Sequence, residues 1–159
     1  MTRMEPTTSA ALVVRRILPA PVDAVYDAWT NPDLVRQWSW GSRHETIAMR
    51  MDVRPGGAWH HEIRNRDNGE RWTFDGVFEE VIPGRKLVHT FFWRSGSGVE
   101  EGPSLVAIEF IDQGGRSTEV VITHSRVADH SRSGTRDGWL DILELVENLA
   151  RLAQARISP

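Results

Sequence analysis

Between residues 44 and 125 apolar side chains recur at every second position, and short runs of glycine, proline and asparagine interrupt them. A period of two belongs to β-strands, whose successive side chains point to opposite faces. The stretches 47–53, 58–64, 72–82, 87–93, 105–111 and 118–125 read as strands on this pattern. Pro55-Gly56-Gly57, Asp67-Asn68-Gly69, Pro83-Gly84 and Gly114-Gly115 supply turn chemistry between them. Short turns return each strand alongside its predecessor, so the sheet is expected to be antiparallel and meandering. The longest break, residues 95–103, contains three glycines and Glu100-Glu101; it reads first as a plain solvated loop, and it is the best candidate for a mobile flap.

Helical periodicity frames this β region on both sides. Residues 12–18 form a short β-branched run closed by Pro19 and Pro21, which predicts a first strand. Val22, Val25, Tyr26 and Trp29 then fall on one face of a short helix. Asn31 can cap and Pro32 can open a second helix carrying Leu34, Val35 and Trp38, which ends near Gly41. A long helix is predicted over 135–156. Trp139, Ile142, Leu143, Val146, Leu149, Ala150 and Ala153 share one face, and Leu145 and Leu152 widen that stripe. A stripe so broad suggests a helix held by a curved surface. The fold class is α+β: a curved antiparallel sheet of about six or seven strands around one long C-terminal helix.

The 159 residues leave room for one domain, read here as residues 11–157, with residues 1–10 as a loose tail. The absence of cysteine excludes disulfides, thiolate metal sites and cysteine nucleophiles, and fits a reducing cytoplasmic setting. No run approaches the roughly 18 apolar residues that cross a bilayer, so no membrane insertion is expected. A net charge of −3 and a single lysine, Lys86, leave no basic track for nucleic acid.

The order of these elements and several punctuating residues resemble the SRPBCC or START-like (helix-grip) superfamily. Within it the chain is similar to the branch named after the ATPase activator of heat-shock protein 90. The resemblance rests on Pro21-Val22, Trp29-Thr30-Asn31-Pro32 and Trp38, then on Pro55-Gly56-Gly57-Ala58-Trp59. It continues through Gly76-Val77-Phe78, Val81-Ile82-Pro83-Gly84-Arg85-Lys86-Leu87, and Gly138-Trp139 with Leu143 and Leu149. These motifs span residues 11 to about 152 and specify the fold, not an activity. The resemblance implies a cavity between sheet and C-terminal helix, opening near the two short helices. It also implies a range of roles: lipid and polyketide carriers, aromatic-ring cyclases and self-resistance proteins. The chain departs from the family pattern at Trp38-Ser39-Trp40, where relatives often place a tryptophan pair followed by proline. The resemblance does not extend to the extra domain through which the eukaryotic activator grips its chaperone, so a co-chaperone role is not the expectation.

No phosphate-binding glycine loop, nucleophile elbow or His-Glu-x-x-His metal motif occurs. His60 and His61 are adjacent on a strand and must face opposite ways. His61 goes with Trp59 and Ile63, His89 with Leu87, Phe91 and Trp93, and His124 with Val120 and Ile122. If all three faces are concave, His61, His89 and His124 look into a common cavity. Converging imidazoles can hold zinc, donate hydrogen bonds to a ligand, or simply pair with neighbours on a semi-polar sheet. Glu109 interrupts a buried run and is expected to face solvent; turned inward, it would be a general-base candidate. Neither a metal nor a cofactor is assigned.

Seven tryptophans are many for one small domain. Trp59, Trp72, Trp93 and Trp139 fall on faces directed at the cavity, while Trp29, Trp38 and Trp40 are expected at its mouth. Indoles either fill a thick core or wall a pocket for flat, apolar guests. The pocket candidates are therefore Trp38, Trp40, Trp59, His61, Trp72, His89, Trp93, His124 and Trp139. The leading expectation is a module that binds a small hydrophobic or aromatic molecule. The alternatives are a cyclase- or hydrolase-type enzyme using the histidines, and a protein-interaction module acting on an ATPase. A homodimer and a protein partner are both left open.

Overall fold

Asn31 stops one helix and starts the next. Its side chain accepts a hydrogen bond from the Asp33 backbone N–H at 3.1 Å. Pro32 occupies the first helical position, where a missing N–H costs nothing. In the computed structural model, which describes residues 10–157, this junction separates α1 (Val22–Thr30) from α2 (Pro32–Trp38). Most of the tail expected over residues 1–10 lies outside the described residues.

β1 (Leu12–Leu18) precedes these helices, and β2 (His44–Met51), β3 (Ala58–Asn65), β4 (Arg71–Ile82) and β5 (Lys86–Ser95) follow them. β6 (Glu100–Gln113) and β7 (Ser117–Ser125) complete a seven-stranded sheet of order β1-β7-β6-β5-β4-β3-β2. Every neighbouring pair is antiparallel. The short turns set this meander, and β1 closes it by pairing with the last strand. A single 3₁₀ turn, Asp129–Ser131, leads into α3 (Arg132–Ile157).

The loop or flap expected over residues 95–103 is corrected by the register. Arg94 pairs with Glu100 and Trp93 with Glu101, so residues 100–103 belong to β6. The Ser95 N–H donates to the Val99 carbonyl at 2.8 Å, and the Val99 N–H donates to Ser95 Oγ at 3.1 Å. Only a tight turn remains. Gly102 and Pro103 had hidden the alternation: Gly102 has φ +115°, and a Cβ there would lie 2.6 Å from the Phe91 carbonyl oxygen.

The core lies between the concave sheet face and the helices. Ile63, Leu87, Ile108 and Ile122 from the sheet meet Val25 and Val35 from the short helices and Ile142, Leu143 and Val146 from α3. Each fully buried side chain of this kind stabilises the fold by about 1.5–3 kcal/mol. Leu152, placed at the edge of the helical stripe by its spacing, is instead 58% exposed, because the protein covers a narrower helix face than the pattern suggests. Two polar ties fix α3 in place. Glu147 receives Arg16 from β1 at 3.2 Å and Arg151 at 3.1 Å. Asp141 accepts the Ser42 N–H at 3.0 Å, with Gly41 so close that a Cβ would stand 2.4 Å from the carboxylate.

Candidate functional site

Concave-face alternation on β4 and β5 presents Trp72 and Phe74, then Phe91 and Trp93, on the side facing α3. Together with Trp40 and Trp139 they wall a cavity of about 540 Å³, a volume within the usual range for small-molecule sites. Ser104 and His124 add polar atoms to the lining, and Glu101, Arg126, His130 and Ser131 also border it. The α3 wall is lined partly by glycine: Gly134 and Gly138, one helical turn apart, have nothing within 4 Å of where a Cβ would sit.

The exposed border runs through residues 100–102 and 126–138. The expected opening near the two short helices is thus corrected: α1 and α2 close their end of the fold with buried Val25, Trp29, Val35 and Trp38. Across the border Glu101 accepts hydrogen bonds from Ser131 Oγ at 2.6 Å and His130 Nε2 at 2.8 Å.

Trp40 holds a conformation that most side chains avoid. Its φ is +57°, and Arg126, at +63°, is the other non-glycine residue with positive φ among the described residues. Both border the cavity, where strained backbone marks functional positions in many proteins. The turn swings the Trp40 indole onto Phe74, with centroids 4.3 Å apart and planes 24° from parallel. Its Nε1–H donates to His61 Nδ1 at 3.2 Å.

His124 sits in a directed chain. An indole nitrogen can only donate, so Trp139 Nε1–H gives its hydrogen to His124 Nδ1 at 3.1 Å. His124 Nε2 therefore carries the proton and donates to Ser104 Oγ at 2.7 Å, and Ser104 passes its own hydrogen to the Phe91 carbonyl at 3.3 Å. In this direction the imidazole gives a proton to the serine instead of taking one. A nucleophilic serine needs the reverse.

Burial keeps the inward histidines uncharged. It lowers the His124 pKa to about 4, with a smaller contribution from His89. Burial likewise lowers His61 to about 3, helped by His89 and His60, and His89 to about 4 against the opposing pull of the Thr90 carbonyl.

The sequence candidates divide between two chambers. Trp40, Trp72, Trp93, His124 and Trp139 border the large cavity. Trp38, Trp59, His61 and His89 instead surround a separate void of about 30 Å³, for which Trp40 and Trp139 form a shared wall. The three imidazoles therefore do not meet in one cavity, and no group of three metal-ligating side chains converges among the described residues. Trp38 is a core residue and not part of a mouth: its indole donates to the Ala28 carbonyl at 2.8 Å. Trp59 likewise donates to the Thr90 carbonyl at 3.2 Å. Glu109 faces solvent, as its alternation with Ile108 and Phe110 requires. Phe74, Ser104 and Gly134 were not singled out from sequence, and Glu101 and Gly138 were noted there as parts of motifs but not as site residues. Alternation with Trp72 could have found Phe74; the interrupted pattern at Gly102-Pro103 concealed Ser104.

The family described as "Activator of Hsp90 ATPase homolog 1-like protein" matches residues 19–151. The chain belongs to this family. No curated protein sequence matches it. Among solved structures, a protein from Nitrosomonas europaea is 22% identical, with 92% of this chain and 97% of that chain covered and a TM-score of 0.76. A Chromobacterium violaceum protein is 20% identical over 89% and 98% of the two chains, also with a TM-score of 0.76. The AHSA1 protein of Silicibacter pomeroyi is 20% identical over 92% and 99%, with a TM-score of 0.75. At these identities the likeness concerns the fold, a helix-grip arrangement spanning nearly the whole of each relative.

Proposed function

We propose that the protein binds a small, flat, predominantly apolar molecule in the large cavity and holds it away from water. The observation that carries this reading is the aromatic wall of Trp40, Trp72, Phe74, Phe91, Trp93 and Trp139 around about 540 Å³. Rings of this kind stabilise a guest by burying area and by stacking at offset or edge-on angles. Of the polar lining, Ser104 and His124 add selectivity without charge, since His124 is neutral and committed to its neighbours, while the charged Glu101 and Arg126 stand at the border. The directed chain through Ser104 supports binding over hydrolysis by that pair.

Gly138→Leu tests the reading without attacking the core. The new side chain would project from an open helical position toward the cavity, and leucine favours a helix more than glycine by roughly 0.8 kcal/mol. Polycyclic and acyl compounds should quench tryptophan fluorescence in the unaltered protein at sub-millimolar concentrations, on the order of −4 kcal/mol or better. The variant should lose at least about tenfold in affinity, roughly 1.4 kcal/mol, while melting no earlier. Unchanged binding in Gly138→Leu would place the ligand elsewhere. No binding by any compound, with native mass spectra showing an empty protein, would sink the proposal.

A further inference from the structure

Two side-chain ties among residues that border the large cavity run from the sheet to the α3 side, and they differ in depth. The inner one is the bond from Trp139 to His124, between two buried side chains. The outer one starts at Glu101. In the β5–β6 register Glu101 stands opposite Trp93, and residues facing each other across an antiparallel pair point to the same side of the sheet. The carboxylate therefore leaves the concave face beside one of the indole walls. It reaches the turn that precedes α3, where Ser131 Oγ lies 2.6 and 2.9 Å from its two oxygens and His130 Nε2 lies 2.8 Å from one of them.

Solvent decides which tie can open. At the outer one the His130 and Glu101 side chains are 77% and 26% exposed. A hydrogen bond to a carboxylate is strong where it is dry, but water competes for it at an exposed site and leaves little net stabilisation. The inner tie has no such competitor. The backbone beside the outer tie is also bent at both ends: Gly102 follows Glu101 with φ +115°, and Arg126, at +63°, opens the segment that carries His130 and Ser131. These residues form the border at which the cavity meets water, so the outer tie spans sheet and helix on the open side.

We propose that Glu101 is the latch of the cavity entrance. Its bonds to Ser131 and His130 hold β6 against the turn before α3, and a guest enters or leaves while they are broken. The carboxylate and the imidazole find water as soon as they part, which keeps the cost of opening low. The buried bond between Trp139 and His124 stays made throughout and keeps the helix seated. Passage of a ligand rests on the function proposed above; the opening of the latch does not.

Two variants move the latch in opposite directions. Glu101→Ala removes every bond in it. Glu101→Cys with Ser131→Cys, bridged by a short thiol-to-thiol cross-linker, shuts it, and the absence of other cysteines makes the bridge unique. In the ligand-free protein, acrylamide quenching of tryptophan fluorescence reads the opening. It should rise about twofold in Glu101→Ala and fall in the bridged variant. Unchanged quenching in either variant overturns the latch. Stopped-flow binding of 1-aminoanthracene, a neutral polycycle, reads passage. Association and dissociation should both quicken by about tenfold in Glu101→Ala and both slow on bridging. Unchanged rates would overturn the gating role, and faster dissociation alone would make Glu101 a ligand contact instead of a latch. If neither this nor any other polycycle binds the unaltered protein while quenching responds as expected, the latch stands and the function proposed for the large cavity fails.

Discussion

The two ends of the concave face are built from the same residue type for opposite purposes. At the α1–α2 end, Trp38 and Trp59 direct their N–H groups to the backbone carbonyls of Ala28 and Thr90 and pack with almost no space left. At the open end, Trp72 and Trp93 have no hydrogen-bond partner for theirs, and Trp139 donates to an imidazole. Trp40 stands between, donating to His61 and bordering both chambers. A tryptophan tied to the backbone is fixed as core, whereas one tied to a side chain, or untied, forms a wall whose far side can remain empty. The partner of the indole nitrogen separates the two uses.

The largest test of this contrast is pH. His61 and His89 belong to the packed end and His124 to the hollow end, and burial holds all three well below the ordinary value near 6.5. The unfolded chain binds protons that the native chain refuses, so stability is complete above about pH 6.5 and falls as the pH drops toward 4. Each histidine contributes about 3 kcal/mol to that loss, at 1.36 kcal/mol per pH unit. Urea unfolding at pH 7 and pH 4.5 should show it, and His124→Gln should leave most of the slope intact. A flat profile would mean that these rings are hydrated and the packed end is not packed.

Substitution of single indoles comes next. Trp38→Ala should cost about 3–5 kcal/mol in chemical denaturation, because it opens a cavity in the filled end. Trp93→Ala, at a half-buried wall, should cost nearer 1 kcal/mol and show instead as weakened ligand binding. Equal losses would break the comparison. The glycines sharpen it further. A Cβ at Gly76 would stand 2.0 Å from the Thr90 carbonyl oxygen and 2.3 Å from the Trp59 nitrogen, so Gly76→Ala should destabilise by about 1–3 kcal/mol. Gly138→Ala, facing open space, should stabilise by about 0.8–1 kcal/mol in the same assay. The smallest effect belongs to Glu109→Gln on the solvent face, which should alter stability by less than about 0.5 kcal/mol and leave ligand titrations unchanged.

The β-strands were legible because alternation and turn chemistry are local. The Asn31-Pro32 junction, the hairpins and the inward faces of His61, His89 and His124 all follow from spacing of a few residues. Residues 100–104 were not legible, since glycine and proline disrupt the pattern that marks a strand. Trp38 and Trp40 show where the site escapes sequence reasoning. They are two positions apart, yet Trp38 ends a helix and enters the core while Trp40 takes a left-handed turn into the cavity wall. That divergence depends on where α2 stops against Asp141 and Gly41, a contact spanning about a hundred residues of chain.

The glycines at positions 134 and 138 have a consequence beyond the room they leave. Each weakens the opening turns of α3 by about 1 kcal/mol relative to alanine, in a stretch that lies between two anchors: Arg132, which donates to the Ala10 carbonyl at 2.7 Å, and the Asp141 and Glu147 ties farther along. The turns between these anchors are therefore the least stable of the rod. Breathing there would widen the doorway without unfolding the domain, and amide exchange should run fastest over residues 133–138 and slow sharply beyond them.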